Sequence, residues 1–140
     1  MKKSFATLIK LQKTLVDEQR QHLARLMENL EKIENRIRQL EALRAREQAA
    51  AAKNEIARMT YGAFLKNLIA KRRELEKEHQ AAAAAVRKAQ ERMAELFEEQ
   101  KRYEIAEEQR IEEIEKEERR LERIELDEIG GVRHERKKSA

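Results

Sequence analysis

Large apolar residues recur along most of this chain at alternating steps of three and four. Leu23, Leu26, Leu30, Ile33, Ile37 and Leu40 are spaced 3, 4, 3, 4, 3. That is the a/d spacing of a left-handed coiled coil. Upstream the stripe broadens, with Phe5, Ile9 and Val16 on one edge and Leu8, Leu11 and Leu15 on the other. A wider stripe can contact more than one neighbour. A second seam follows: Leu68, Leu75, His79, Ala82, Val86, Ala89, Met93, Leu96, Gln100 and Tyr103 fit the same spacing if Arg72 is admitted to it. From Gln100 through Tyr103 and Glu107 to Ile111 the steps become 3, 4, 4, a local 11-residue repeat that relaxes the supercoil. Ile111, Ile114, Glu118 and Leu121 then resume the pattern.

The two seams predict two long helices. Gly62 interrupts the middle of the sequence, and Gly130 and Gly131 stand near its end. The expected helices run from about 4 to 57 and from about 64 to 129. A turn lies over about 58–63, and a flexible basic tail occupies 130–140. Glycine at a C′ position is the expected stop of the second helix. The fold class is therefore all-α, a long antiparallel two-helix coiled-coil hairpin forming a single domain over 1–129. With the turn near Thr60, facing residue numbers sum to roughly 120, pairing Ile37 with Ala83, Leu26 with Ala94 and Ile9 with Ile111. Each arm would be on the order of 85 Å long. The second helix overshoots the first from about Leu121. Exposed pairs such as Glu28–Lys32 and Glu112–Lys116 have the favourable i,i+4 order.

Composition sharpens this picture. The 140 residues include no proline, cysteine or tryptophan, and 43% are charged. Without cysteine there is no disulfide framework, thiol nucleophile or thiolate metal site. No run approaches the roughly 18 to 20 apolar residues that span a bilayer. Met1 to Leu15 has no unbroken apolar core or clear cleavage site, which argues against a signal peptide. A cytoplasmic protein is the default expectation.

Charge is uneven. Glu104 to Glu128 holds 12 acidic and 5 basic residues, a net of −7. Met1 to Val16 holds four lysines and no acid, and Gly130 to Ala140 has a net of +3. Lys66, Lys71, Arg72, Arg73 and Lys77 cluster against Glu74 and Glu76. Most of these charges read as a solvated coiled-coil surface, while a basic pole could meet an acidic partner. The chain lacks an aromatic RNA-binding platform, so no nucleic-acid partner is expected. No direct membrane insertion is expected either.

Catalytic chemistry finds no footing. Three glycines cannot build a phosphate-cradling loop. His22, His79 and His134 have no second histidine at i+3 or i+4, so no helical metal site is expected. His79 reads as a seam residue that sets register. A two-helix protein offers no pocket to shift carboxylate pKa values. No enzyme, no cofactor and no metal are expected.

The most unusual stretch runs from Met59 to Ile69. It holds Tyr61, Phe64, Leu65, Leu68 and Ile69, more apolar surface than one seam needs. The surplus either covers the hairpin's end or forms a docking patch beside Lys71, Arg72 and Arg73. Here the chain resembles the FliJ family of flagellar export proteins. Tyr61-x-x-Phe64-x-x-x-Leu68 carries the resemblance. So do Ser4-x-x-x-Leu8-Ile9-x-Leu11, Val16-Asp17-Glu18-x-Arg20, Lys101-Arg102-Tyr103-Glu104 and Leu126-Asp127-Glu128-Ile129-Gly130, in the manner of alphaproteobacterial members.

The resemblance implies a coiled-coil hairpin similar to the stalk of rotary ATPases. Such proteins associate with the hexameric export ATPase FliI, its regulator FliH, the export gate protein FlhA and export chaperones. The implied location is cytoplasmic, peripheral at the inner-membrane export apparatus. Phe64 and Leu68, with Tyr61 before them, would belong to the gate-binding surface. Its continuation, Ala and His in enteric members, falls on Lys71 and Leu75 here. Charge alone nominates Lys2, Lys3, Arg133, Arg136 and Lys137 for contacts with the ATPase ring. Two alternatives stand beside this reading: the equivalent stalk of a virulence type III secretion system, and a parallel homodimeric scaffold in which the midpoint break is only a hinge.

Overall fold

The computed structural model describes residues 3–139. Two α-helices account for nearly all of them: α1, Ala6–Lys53, of 48 residues, and α2, Glu55–Ser139, of 85 residues. No strand occurs among the described residues. The helices pack antiparallel, so the chain forms the two-helix hairpin that its spacing predicts.

The reversal falls at Asn54, not over 58–63. The Asn54 N–H still donates to the Ala50 carbonyl at 2.9 Å, closing α1. Its side-chain Oδ1 then accepts the Ile56 N–H at 2.9 Å, and its carbonyl accepts the Arg58 N–H at 3.1 Å, opening α2. An asparagine oxygen taking an otherwise orphaned N–H is the usual N-cap arrangement. Lys53 in the last turn of α1 and Glu55 in the first turn of α2 both suit the helix dipoles. Gly62 lies inside α2 without a positive φ.

Moving the corner toward the N-terminus shifts the register. Facing residue numbers sum to about 110 (Gln19 with Ala89, Glu34 with His79, Glu41 with Arg72), not 120. The expected pairing of Ile9 with Ile111 is therefore displaced by about three turns of α2. Large residues still meet small ones. Leu26 shares a groove with Ala85 and Ala89, and Ile33 shares one with Ala81, Ala82 and Ala85.

Packing divides the molecule into two compact units. One is Leu15–Glu95. Its buried residues are Val16, Ile33, Ala51, Leu68, Ala82, Val86, Ala89 and Met93, and each lies on the predicted seam or its continuation into the corner. Two polar contacts cross the helices here: the ion pair of Arg72 with Glu41 at 2.8 Å and the approach of His79 Nε2 to Glu34 at 3.3 Å. Arg72 also holds Glu76 at 3.1 Å, so the cation admitted to the seam keeps its head group among carboxylates.

The other unit joins the start of the chain, through Thr14, with the part of α2 from Leu96 onward. Leu96 is its most deeply buried side chain, 3% exposed. The Phe5 and Tyr103 rings stack with centroids 6.4 Å apart. Gln12 is the single buried polar residue among those described, and its amide donates to the Leu96 carbonyl at 3.0 Å and to Glu99 at 3.1 Å. Of the broad upstream stripe, Val16 is buried and Phe5, Ile9 and Leu15 are half-buried, while Leu8 and Leu11 are exposed.

Glu107 fastens the start of α1. Its carboxylate accepts the Phe5 N–H at 2.8 Å, the Ser4 hydroxyl at 3.2 Å, and two bonds from Arg110 at 3.0 and 2.7 Å. The Arg110 bonds, then the Phe5 N–H, hold the Glu107 carboxyl down at about 2. Ser4 in turn accepts the Ala6 N–H at 3.1 Å.

Beyond this clasp α2 continues alone. Every residue from Ile111 to Lys138 is exposed. The overshoot starts about ten residues before the expected Leu121, as the shifted register requires. Gly130 and Gly131 do not stop the helix, since neither has a positive φ. Nothing lies within 4 Å of where a Cβ would stand at either, and Arg136, Lys137 and Lys138 in the last turn favour the helical C-terminus. The expected tail at 130–140 is thus helical as far as it is described.

Candidate partner-binding surfaces

The gate-type residues fall on successive turns of α2 within the unit Leu15–Glu95. Tyr61 and Phe64 are half-buried, with ring centroids 6.3 Å apart. Leu68 is only 4% exposed. Its side chain fills the interhelical seam, so what this position offers a partner is backing for its neighbours. Ile56 and Met59, one turn nearer the corner, are 74% and 81% exposed.

Next to this segment lies an open groove of about 560 Å³ between the helices. Leu40, Leu43 and Leu75 give it an apolar floor, and Arg36, Arg46 and Lys71 are among its rim residues. Lys71 and Leu75, the two positions where the sequence departs from the enteric pattern, therefore share one surface. Leu40 and Leu43 add a contribution from α1 that the sequence alone does not locate. Glu74 and Glu78 line the groove as well, so an apolar floor with charges of both signs around it suits a segment carrying apolar and charged side chains.

The five basic residues nominated for ring contact do not form one cluster. Lys2 lies outside the described residues. Lys3 is exposed beside Ser4, which reaches Glu107. Arg133, Arg136 and Lys137 are exposed on α2. Arg133 stands 26 residues past Glu107, about 39 Å along a helix rising 1.5 Å per residue.

Sequence reasoning passed over Gln12 and Glu107. A glutamine in an a/d seam is a detectable signal, because a buried amide needs named partners. Glu107 sits where the 3, 4, 4 steps depart from the heptad, and that departure turns a carboxylate toward the start of α1. Among the described residues no group of three or more histidines and acids could hold a metal ion. No helix among them is long and apolar enough to cross a membrane.

The fold is a long antiparallel helical hairpin with an open groove between its two helices. Comparison with known families specifies it further: the family described as flagellar FliJ protein matches residues 1–139. The chain belongs to the FliJ family and is a FliJ-type component of the flagellar type III export apparatus. No curated protein and no solved structure gives a significant match. The family is one of export components and not a known family of enzymes.

Proposed function

We propose that this hairpin is a stalk-like linker that couples the export ATPase to the export gate without chemistry of its own. The observation that carries the reading is the groove that opens two turns past Phe64, in which α1 and α2 jointly present apolar side chains and charges of both signs. Phe64, backed by the buried Leu68, together with Leu40, Leu43 and Leu75, forms the surface for the gate protein FlhA. The other compact unit, with Lys3, Arg133, Arg136 and Lys137 and the preceding Lys2, serves the ring of FliI and its regulator FliH. Export chaperones complete the set of partners. The working location is cytoplasmic, against the inner-membrane export apparatus.

The test separates binding from folding. Leu68→Ala removes a buried side chain and so reports mostly on stability. Phe64→Ala combined with Lys71→Glu changes the surface. Its affinity for the cytoplasmic domain of FlhA should fall by roughly tenfold or more. FliI binding and helicity should stay as in the parent chain. Loss of both partners together, or of neither, would defeat the assignment.

A further inference from the structure

Two stripes on α2 face solvent with the same spacing and opposite charge. The first is Ile56, Met59, Ala63, Lys66, Ala70, Arg73 and Lys77. The second is Ile111, Ile114, Glu118, Leu121, Glu125, Glu128 and Val132. Each advances by steps of 3, 4, 3, 4, 3, 4, and every residue in both is exposed. Each covers about 31 Å of helix. The large apolar members at this spacing, Ile56 and Met59 in the first and Ile111, Ile114, Leu121 and Val132 in the second, give each stripe a partial coiled-coil seam. Three cations in one row and three carboxylates in the other make the two seams complementary.

We propose that this protein self-associates by laying the acidic stripe 111–132 of one copy on the basic stripe 56–77 of another, in parallel. A helix cannot lay one of its own stripes on another, so the occupant is a second copy. The side chains select the direction. In parallel register Ile56 meets Ile111, Met59 meets Ile114 and Arg73 meets Glu128. Lys66 meets Leu121, between the turns of Glu118 and Glu125, and Lys77 meets Val132. On the flank Ile69 meets Ile129, and both are exposed in the single chain, at 42% and 48%. The antiparallel alternative sets Met59 against Glu128, and Arg73 and Lys77 against Ile114 and Ile111. That arrangement opposes a charge and a large apolar group at four positions, counting Lys66 on Leu121, against two in the parallel register. Like-to-like pairing of the acidic stripes is opposed by the net of −7 between Glu104 and Glu128. Each copy carries both stripes 55 residues apart on one helix, so the parallel contact staggers the copies and continues head to tail. This contact does not depend on the export role proposed above.

Light scattering on the full chain tests the contact over about 10 to 500 μM protein, a range that brackets weak association. The mean mass should climb above 16.6 kDa with concentration and drop back as salt is added. Lys66→Glu with Arg73→Glu should weaken association tenfold or more, as should Glu118→Lys with Glu128→Arg. An equimolar mixture of the two variants should associate again, because one keeps the acidic stripe and the other the basic one. All four positions are exposed, so helicity should not change. The chain has no cysteine, which allows the register to be read directly. Met59→Cys in one chain should crosslink to Ile114→Cys in another, and not to Glu128→Cys. A mass fixed at 16.6 kDa throughout, or association that survives either charge reversal, overturns the proposal.

Discussion

Residues 68–96 and 111–132 of α2 are one helix with similar apolar spacing, yet they stand in opposite environments. In the first stretch Leu68, Val86, Ala89, Met93 and Leu96 are all under 10% exposed. In the second, Ile111, Ile114, Leu121, Leu126, Ile129 and Val132 are all above 40%. Apolar periodicity reports that a helix has a face to cover. It does not report whether the cover comes from the same chain. What separates the two stretches is the position of the corner, because α1 reaches only as far along α2 as Glu107.

The sharpest way to break this contrast is to truncate one leucine in each stretch. Leu96→Ala removes a nearly buried side chain and should cost about 2 to 5 kcal/mol in chemical unfolding. Leu121→Ala, at 53% exposure, should change stability by no more than about 0.5 kcal/mol. Comparable losses at both sites would mean that the two stretches are covered alike in the isolated chain.

A smaller effect is expected at the polar residues. Gln12→Ala removes the amide that bridges the Leu96 carbonyl and Glu99, and should cost about 1 kcal/mol. The exposed Gln109→Ala on the far side of the clasp should be close to silent by the same assay. Equal effects would deny Gln12 its place in the seam.

The mildest difference belongs to the boundary itself and shows only in acid. Glu107 titrates lower in the folded chain, at about 2, than its ordinary 4.5. Its clasp is fully present above about pH 4.5 and is lost as pH falls toward about 2. Glu107→Gln should therefore flatten the pH dependence of Tm within that window and leave it unchanged near neutrality. A variant with the same acid slope as the parent would show that the clasp contributes nothing.

The hairpin was legible in the sequence because the 3/4 spacing of Leu23 to Leu40 and of Leu75 to Tyr103 states directly which faces meet. The corner was not. Gly62 looked like the break, yet a single helical glycine costs only about 1 kcal/mol against alanine, and an 85-residue helix absorbs it. The true signal, Lys53-Asn54-Glu55, is a three-residue cap among many polar residues. That one displacement carried the facing pairs and the start of the overshoot with it. The surplus apolar character of Met59 to Ile69 was visible too. Its division into a buried Leu68, half-buried Tyr61 and Phe64, and an exposed Met59 was not, because it depends on the register that the corner sets.

Gly130 and Gly131 stand in regular helix with nothing within 4 Å of where a Cβ would be. Alanine would fit at both, and each replacement would strengthen the helix by about 1 kcal/mol. As the chain stands, those two adjacent positions are a locally weak stretch of the long arm. Arg133, Arg136 and Lys137 lie just past that soft spot. Gly130→Ala with Gly131→Ala would therefore stiffen the stretch of helix that carries these three cations.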